Sequence, residues 1–290
     1  MIMIDDSGIK AGAASEATID KALGCLDIAL KQKLPGVHLV ESAGVDLPNY
    51  SVKLWSKFGS VFYKKAKLSA AGIPVIAILH GFSTAGGAYQ IGMSDYVIGV
   101  KGNGMAALAG SALLKAATGE NATNSDIGGV EMHSVVTGSV EYLVNDDAES
   151  IVTVRKLIDQ LNWNENDAQK TILNFEEPEY SIEDLAGIVP TDYSKGYDVR
   201  EVIARLVYQS GFIELKPKYG LSMGCAQAKI EGFQCGIIAN NGPIDTKGAT
   251  KAAQFIQLCD QANIPLIFLS NVTGYMVGVK SEHDLSLIHI

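Results

Sequence analysis

Two stretches of this 290-residue sequence follow one plan, and that plan restricts the fold more than any single motif. Residues 20–44 read as a helix, then Pro35, then an apolar strand, then Gly44. Residues 250–274 read as a helix, then Pro265, an apolar strand and Gly274. Nine residues separate the proline from the glycine in both, and at an offset of 230 Ala22 and Leu26 fall on Ala252 and Ile256. An apolar strand ending in a polar turn precedes each helix, with Asp5-Asp6-Ser7-Gly8 in the first half and Asn240-Asn241-Gly242 in the second. A strand–helix–strand unit that recurs in two halves implies two similar α/β domains. Two unrelated buried α/β units would also look alike at this level.

The first half continues past its repeat. A helix over 51–71 presents Leu54, Trp55, Phe58, Val61 and Phe62 on one face. A buried-type strand over 75–79 runs into Ser83-Thr84-Ala85-Gly86-Gly87-Ala88-Tyr89, and a short helix to about residue 93 and a strand over 96–100 follow. Asp146 with Glu149 three residues on predicts a capped helix over 146–161. Residues 162–197 are rich in Asn and acids, and read as a connecting segment. A capped helix over 198–209 and a hairpin about Glu231-Gly232 come next. At the offset of 230, the partners of Gly86 and Gly87 would be residues 316 and 317, past residue 290. The second half is therefore expected to stop before its own Gly loop, in a truncated chain.

The composition removes several classes. With 23 basic and 32 acidic residues the net charge is −9, which argues against a general nucleic-acid binder. Hydrophobic residues at 47% can fill a core, so the chain is not disordered. The longest apolar-rich stretch falls far short of a membrane helix, and no signal or transit peptide is visible. Cys25, Cys225, Cys235 and Cys259 fit no metal or redox spacing, which suggests a reducing, cytoplasmic location, or the mitochondrial matrix in a eukaryote.

Chemistry-bearing patterns are few. Glycines between a buried strand and a helix start let a ligand approach the backbone, where free N–H groups can stabilise an oxyanion; Gly86-Gly87 could equally serve only tight strand–helix packing. Gly102-Asn103-Gly104-Met105-Ala106-Ala107 imitates a dinucleotide fingerprint, but no apolar strand lies between it and Glu120. The five histidines share no metal spacing, so a metal is not expected; His38 reads as a core residue, and His80 as core or pocket lining. No nucleophile elbow or P-loop occurs. Lys53, Lys57, Lys64, Lys65 and Lys67 form a basic helix face that could meet phosphates or simply be solvated.

Ala85-Gly86-Gly87-Ala88-Tyr89, then Leu114-Lys115-Ala116-Ala117-Thr118-Gly119-Glu120, then Asp126-Ile127-Gly128-Gly129 come in an order that resembles the carboxyltransferase β subunit of biotin-dependent acyl-CoA carboxylases. Asn271-Val272-Thr273-Gly274-Tyr275-Met276-Val277-Gly278 extends the resemblance into the second half, in a form closer to the methylcrotonyl- and geranyl-CoA enzymes. The resemblance implies a duplicated crotonase-like ββα superhelix. An acyl-CoA domain would span 1–161 and a biotin domain 198–284, joined by 162–197, while 285–290 matches nothing in the family and is expected to be a non-native tail. It implies a homo-oligomer with active sites between subunits, a biotin carboxylase and biotin-carrier partner, no metal and no side-chain base. Carboxyl transfer would pass from carboxybiotin to a branched enoyl-CoA such as 3-methylcrotonyl-CoA through a thioester enolate.

Carried over by residue, the thioester oxyanion hole would use N–H groups at Gly86-Gly87 and at the turn Gly44-Val45. The biotin side would use Gly274-Tyr275 and a second Gly loop. Where the family has Asp-Ser-Gly-Gly-Ala, this sequence has Glu41-Ser42-Ala43-Gly44-Val45, and an alanine at 43 resists a positive φ. Two alternatives share these features: a biotin-dependent decarboxylase subunit, and a non-catalytic fragment that binds CoA or pairs subunits. A half-built second domain is expected to leave Phe255, Ile256, Ile267 and Phe268 underpacked and to associate, and a valine at Gly87 is expected to block acyl-CoA while sparing the fold.

Overall fold

The computed structural model describes residues 1–49, 51–161, 163, 175–192, 195–271, 274–278 and 281. The chain divides into two compact units, Met1–Asp159 and Gln160–Ile290. The segment 285–290 lies outside the described residues, as does part of 162–197.

The first unit is built on a parallel sheet of five strands in the order β1 (Ile2–Ile4), β2 (Gly36–Val40), β3 (Val75–Leu79), β5 (Tyr96–Val100) and β7 (Tyr142–Val144). Every residue of β3 and β5 is buried, which is why both read as unbroken apolar runs. Beyond β3 the chain forms a small parallel pair, β4 (Phe82–Thr84) with β6 (Met105–Ala107). Helix α1 (Glu16–Gln32) starts where Ser15 Oγ accepts the Thr18 N–H, and it ends at Lys33 in the left-handed conformation. Helix α2 (Val52–Ala70) starts at Ser51 in the same way. Their facing stripes form one core, including Ile19, Leu26, Ala29, Leu54, Phe58, Val61 and Leu68. The helix Asp147–Asp159 is capped by Asp146 Oδ1 as its sequence suggests, but Glu149 reaches back to the Asn145 N–H rather than to Asp146.

In the second unit the order is β11 (Leu266–Leu269), β10 (Phe233–Asn240), β9 (Met223–Ile230) and β8 (Phe212–Glu214). The β9–β10 hairpin turns through Glu231 and Gly232, both at positive φ (48° and 81°). The helix predicted over 198–209 is shorter, Val199–Ala204. Expected underpacking of the second half is corrected in part: Phe255 is fully buried beneath β10, whereas Phe268 is 58% exposed. A buried charge network crosses this unit. The Lys251 ammonium, inaccessible to solvent, lies 3.4 Å from Glu214 Oε1, and Glu214 also receives Arg200 Nε and Nη2 at 2.6 and 3.0 Å.

The internal repeat is real at the level of single hydrogen bonds. At an offset of 230, Glu16 maps to Thr246, the start of the helix Thr246–Gln261, and Gly36 maps to Leu266, the start of β11. Ser15 and Asp245 are corresponding N-caps. Ala14 bridges Val45 in parallel, and Ile244 bridges Tyr275. The Ala14 N–H donates to Gly44 O (2.7 Å) and Ile244 N–H to Gly274 O (3.2 Å); Asp46 N–H returns to Ala14 O and Met276 N–H to Ile244 O. Both units therefore carry the same turn after the second strand of the repeat.

Candidate active site

The turn after β2 is fixed by Ser42. Its Oγ donates to Gly12 O (2.8 Å) and accepts the Gly44 N–H (3.2 Å), while its carbonyl accepts the Thr84 N–H (2.9 Å). This buried serine thus ties the turn to the strand that leads into Gly86-Gly87. The positive φ that the turn needs falls on Gly44 (+89°), not on Ala43, so the alanine is accommodated without strain. With the Gly44 N–H occupied, the Val45 N–H is the better-placed donor of the pair: the parallel bridge uses Gly44 O and Asp46 N, which leaves Val45 N–H directed away from Ala14.

Helix α3 (Gly86–Gly92) begins directly after β4. Gly86 and Gly87 occupy its first two positions, where N–H groups have no intrahelical acceptor. Ala85, which starts the helix, holds φ +51° and ψ −119°, an unusual conformation for a residue with a Cβ and one that concentrates at functional sites. It is locked by its N–H donating to Ala107 O and Leu108 O at the end of β6. The structure brings the two expected turns together: a methyl placed on Gly44 would stand 3.2 Å from Gly86 N. It does not leave Gly87 free for substitution. A Cβ there would lie 2.2 Å from Ser42 O, so a valine would break the turn itself, contrary to the expectation that the fold survives.

Behind α3 lies a polar cluster that sequence reasoning missed. Lys65 is fully buried, and its ammonium donates to Gln90 O of α3 (3.2 Å). Burial lowers its pKa to about 7, opposed by the Asp5 carboxylate. The signal was present in the sequence, because Leu54, Phe58, Val61, Lys65 and Leu68 share one helical stripe. The remaining basic face is largely neutralised: Lys53 and Lys57 meet Glu16, Lys57 also meets Asp20, Lys64 meets Asp27, and Lys67 stands over the Tyr63 ring. His38 faces Asp5 through Nε2 (3.2 Å), and burial lowers its pKa despite that bond. His80 Nδ1 stands 3.9 Å from Asp147.

In the second unit, Gly274 (φ +142°) and Tyr275 form the counterpart of Gly44 and Val45. Gly102 and Gly104, the apparent dinucleotide fingerprint, serve a turn and close packing. Gly102 has φ +70°, and a Cβ on Gly104 would meet Leu79 O at 2.4 Å. Among the described residues no cluster of His, Cys, Asp or Glu could hold a metal ion, and no helix is long and apolar enough to cross a membrane.

Two similar α/β units, each with the same glycine turn after the second strand of the repeat, mark a crotonase-like protein. The carboxyl transferase domain model matches residues 1–288, and the chain belongs to that family. It is 42% identical to the mitochondrial methylcrotonoyl-CoA carboxylase β chain of Dictyostelium discoideum over 97% of its length and 48% of that protein's. Among solved structures, the transcarboxylase 12S subunit bound to methylmalonyl-CoA and methylmalonic acid superposes with a TM-score of 0.91 at 30% identity, over 99% of this chain and 57% of that one. The geranyl-CoA carboxylase β subunit of P. aeruginosa is 43% identical, with a TM-score of 0.52, over 99% and 54%. The chain thus spans about half the length of the relatives it matches.

Proposed function

We propose that the chain is part of the carboxyltransferase subunit of a biotin-dependent acyl-CoA carboxylase. The approach of the Gly44-Val45 turn to the Gly86-Gly87 helix start carries this reading. Amides of Val45, Gly86 and Gly87 would converge on a ligand there, and preorganised N–H donors of this kind stabilise a thioester oxygen as it gains charge on enolate formation. No side-chain base is required of this chain. The matching hydrogen bonds around Gly274-Tyr275 support a second, similar anion site in the other unit, where those residues would hold the ureido oxygen of biotin. Carboxybiotin, brought by a partner carrier, would supply the carboxyl group. The methylcrotonoyl- and geranyl-CoA relatives support a branched enoyl-CoA substrate, and the hexamer named for the transcarboxylase supports a homo-oligomer.

The test uses Gly44→Ala, whose methyl enters the space between the two turns. Calorimetric titration of the folded variant with 3-methylcrotonyl-CoA should show affinity reduced at least about tenfold, an effect on the scale of one oxyanion donor. Unchanged affinity would remove the site from Gly44 and Gly86.

A further inference from the structure

One face of α2 meets α3 at three points. At the N-terminal end Phe58 packs so close to Gly86 that a Cβ there would lie 2.7 Å from Phe58 Cε1. In the middle, Phe58, Phe62 and Tyr89 form a chain of edge-to-face rings with centroids 5.0 and 5.9 Å apart. At the C-terminal end the Gln90 carbonyl, which no later backbone N–H takes up, is shared by Lys65 Nζ (3.2 Å) and Ser94 Oγ (2.8 Å). A buried ammonium therefore caps the negative end of a helix whose positive end carries the Gly86 and Gly87 amides.

The ammonium sits beside a cavity of about 50 Å³ lined by Asp5, His38, Ser42, Phe58, Lys65, Gly86 and Gln90 among others. Two atoms of its walls, His38 Nδ1 and Gln90 Oε1, are buried with no protein hydrogen-bond partner among the described residues. The loop after β1 contributes Asp5, β2 contributes His38, and α1 contributes only Thr18, Ile19 and Ala22. His80, after β3, acts on His38, and the Glu41 carboxylate lies over Gly81. Asp5 is shared, because its carboxylate also accepts His38 Nε2 and the Glu41 N–H.

We propose that Lys65 is a positioning residue for the candidate oxyanion hole: its side chain, buried against Gln90, holds α3 in register with the Gly44 turn, and loss of that hydrogen bond loosens α3 and weakens acyl-CoA binding. The link to acyl-CoA rests on the reading of the site given above; the link to α3 does not.

The experiment compares two quantities in the full chain and in Lys65→Gln and Lys65→Met. One is deuterium uptake of peptides spanning α3 without ligand, corrected for intrinsic exchange; the other is the dissociation constant of 3-methylcrotonyl-CoA. Lys65→Met, which removes the donor, should speed exchange across α3 and weaken affinity by roughly three- to tenfold while exchange in the second unit stays unchanged; Lys65→Gln, which keeps an N–H donor, should lose less of both. Faster α3 exchange in Lys65→Met in a protein that binds no acyl-CoA would uphold the positioning role and remove the acyl-CoA reading. Unchanged α3 exchange in Lys65→Met, or equal acceleration in every part of the chain, would overturn the proposal.

Discussion

Lys65 makes a signed prediction about stability as well as binding. Its folded pKa lies below that of a free lysine, 10.5, so between about 7 and 10.5 the unfolded chain binds the proton that the folded chain has lost. Stability therefore rises with pH across that window and falls as pH drops towards 7. The full difference is on the order of 5 kcal/mol. Urea midpoints at pH 6.5, 8 and 9.5 should show this slope in the parent chain and a smaller one in Lys65→Met, which should also be the more stable protein at pH 6.5. Parallel slopes would show that the lysine is not desolvated. Ala85 offers an independent check. Glycine there relieves a positive φ, so Ala85→Gly should leave the melting temperature unchanged or higher, whereas Ala88→Gly in the body of α3 should cost about 1 kcal/mol. Equal losses at both positions would mean that Ala85 is unstrained.

At the scale of elements, what the sequence made legible was punctuation and period. The buried strands β2, β3 and β5 and the hairpin at Glu231-Gly232 could be read because apolar runs were bounded by turn residues. The repeat could be read because prolines, glycines and caps recur at one offset, and that offset also identified Gly274-Tyr275 as the counterpart of Gly44-Val45. The rest depended on tertiary packing. Ser42 acts through a carbonyl bonded to Thr84 and a hydroxyl bonded to Gly12, contacts that no local pattern encodes. Gly87 seemed open to substitution because its neighbour across space, Ser42 O, is far away in sequence. Gly87→Ala should accordingly lower stability by about 2 kcal/mol or more, measured by denaturant unfolding, since a backbone carbonyl cannot swing aside as a side chain can. A loss below about 0.5 kcal/mol would mean that α3 shifts freely against the turn. Such freedom would also undermine the preorganisation on which the oxyanion reading depends.

For the whole molecule, exposed apolar surface points to assembly. Ile2 and Ile4 on the edge strand β1 are each 66% exposed, and Phe268 on the edge strand β11 is 58% exposed. Unpaired edges with exposed apolar side chains favour association, so light scattering should report two or more chains per particle; a monodisperse monomer would contradict this. The most direct test of the central claim, that acyl-CoA is held where the Gly44 turn meets the start of α3, is hydrogen exchange mapped along the chain with and without 3-methylcrotonyl-CoA. The ligand should slow exchange in peptides covering 42–46 and 84–92 and leave those around 244 and 275 unchanged. Protection confined to the second unit, or none at 42–46 and 84–92 under saturating ligand, would contradict it.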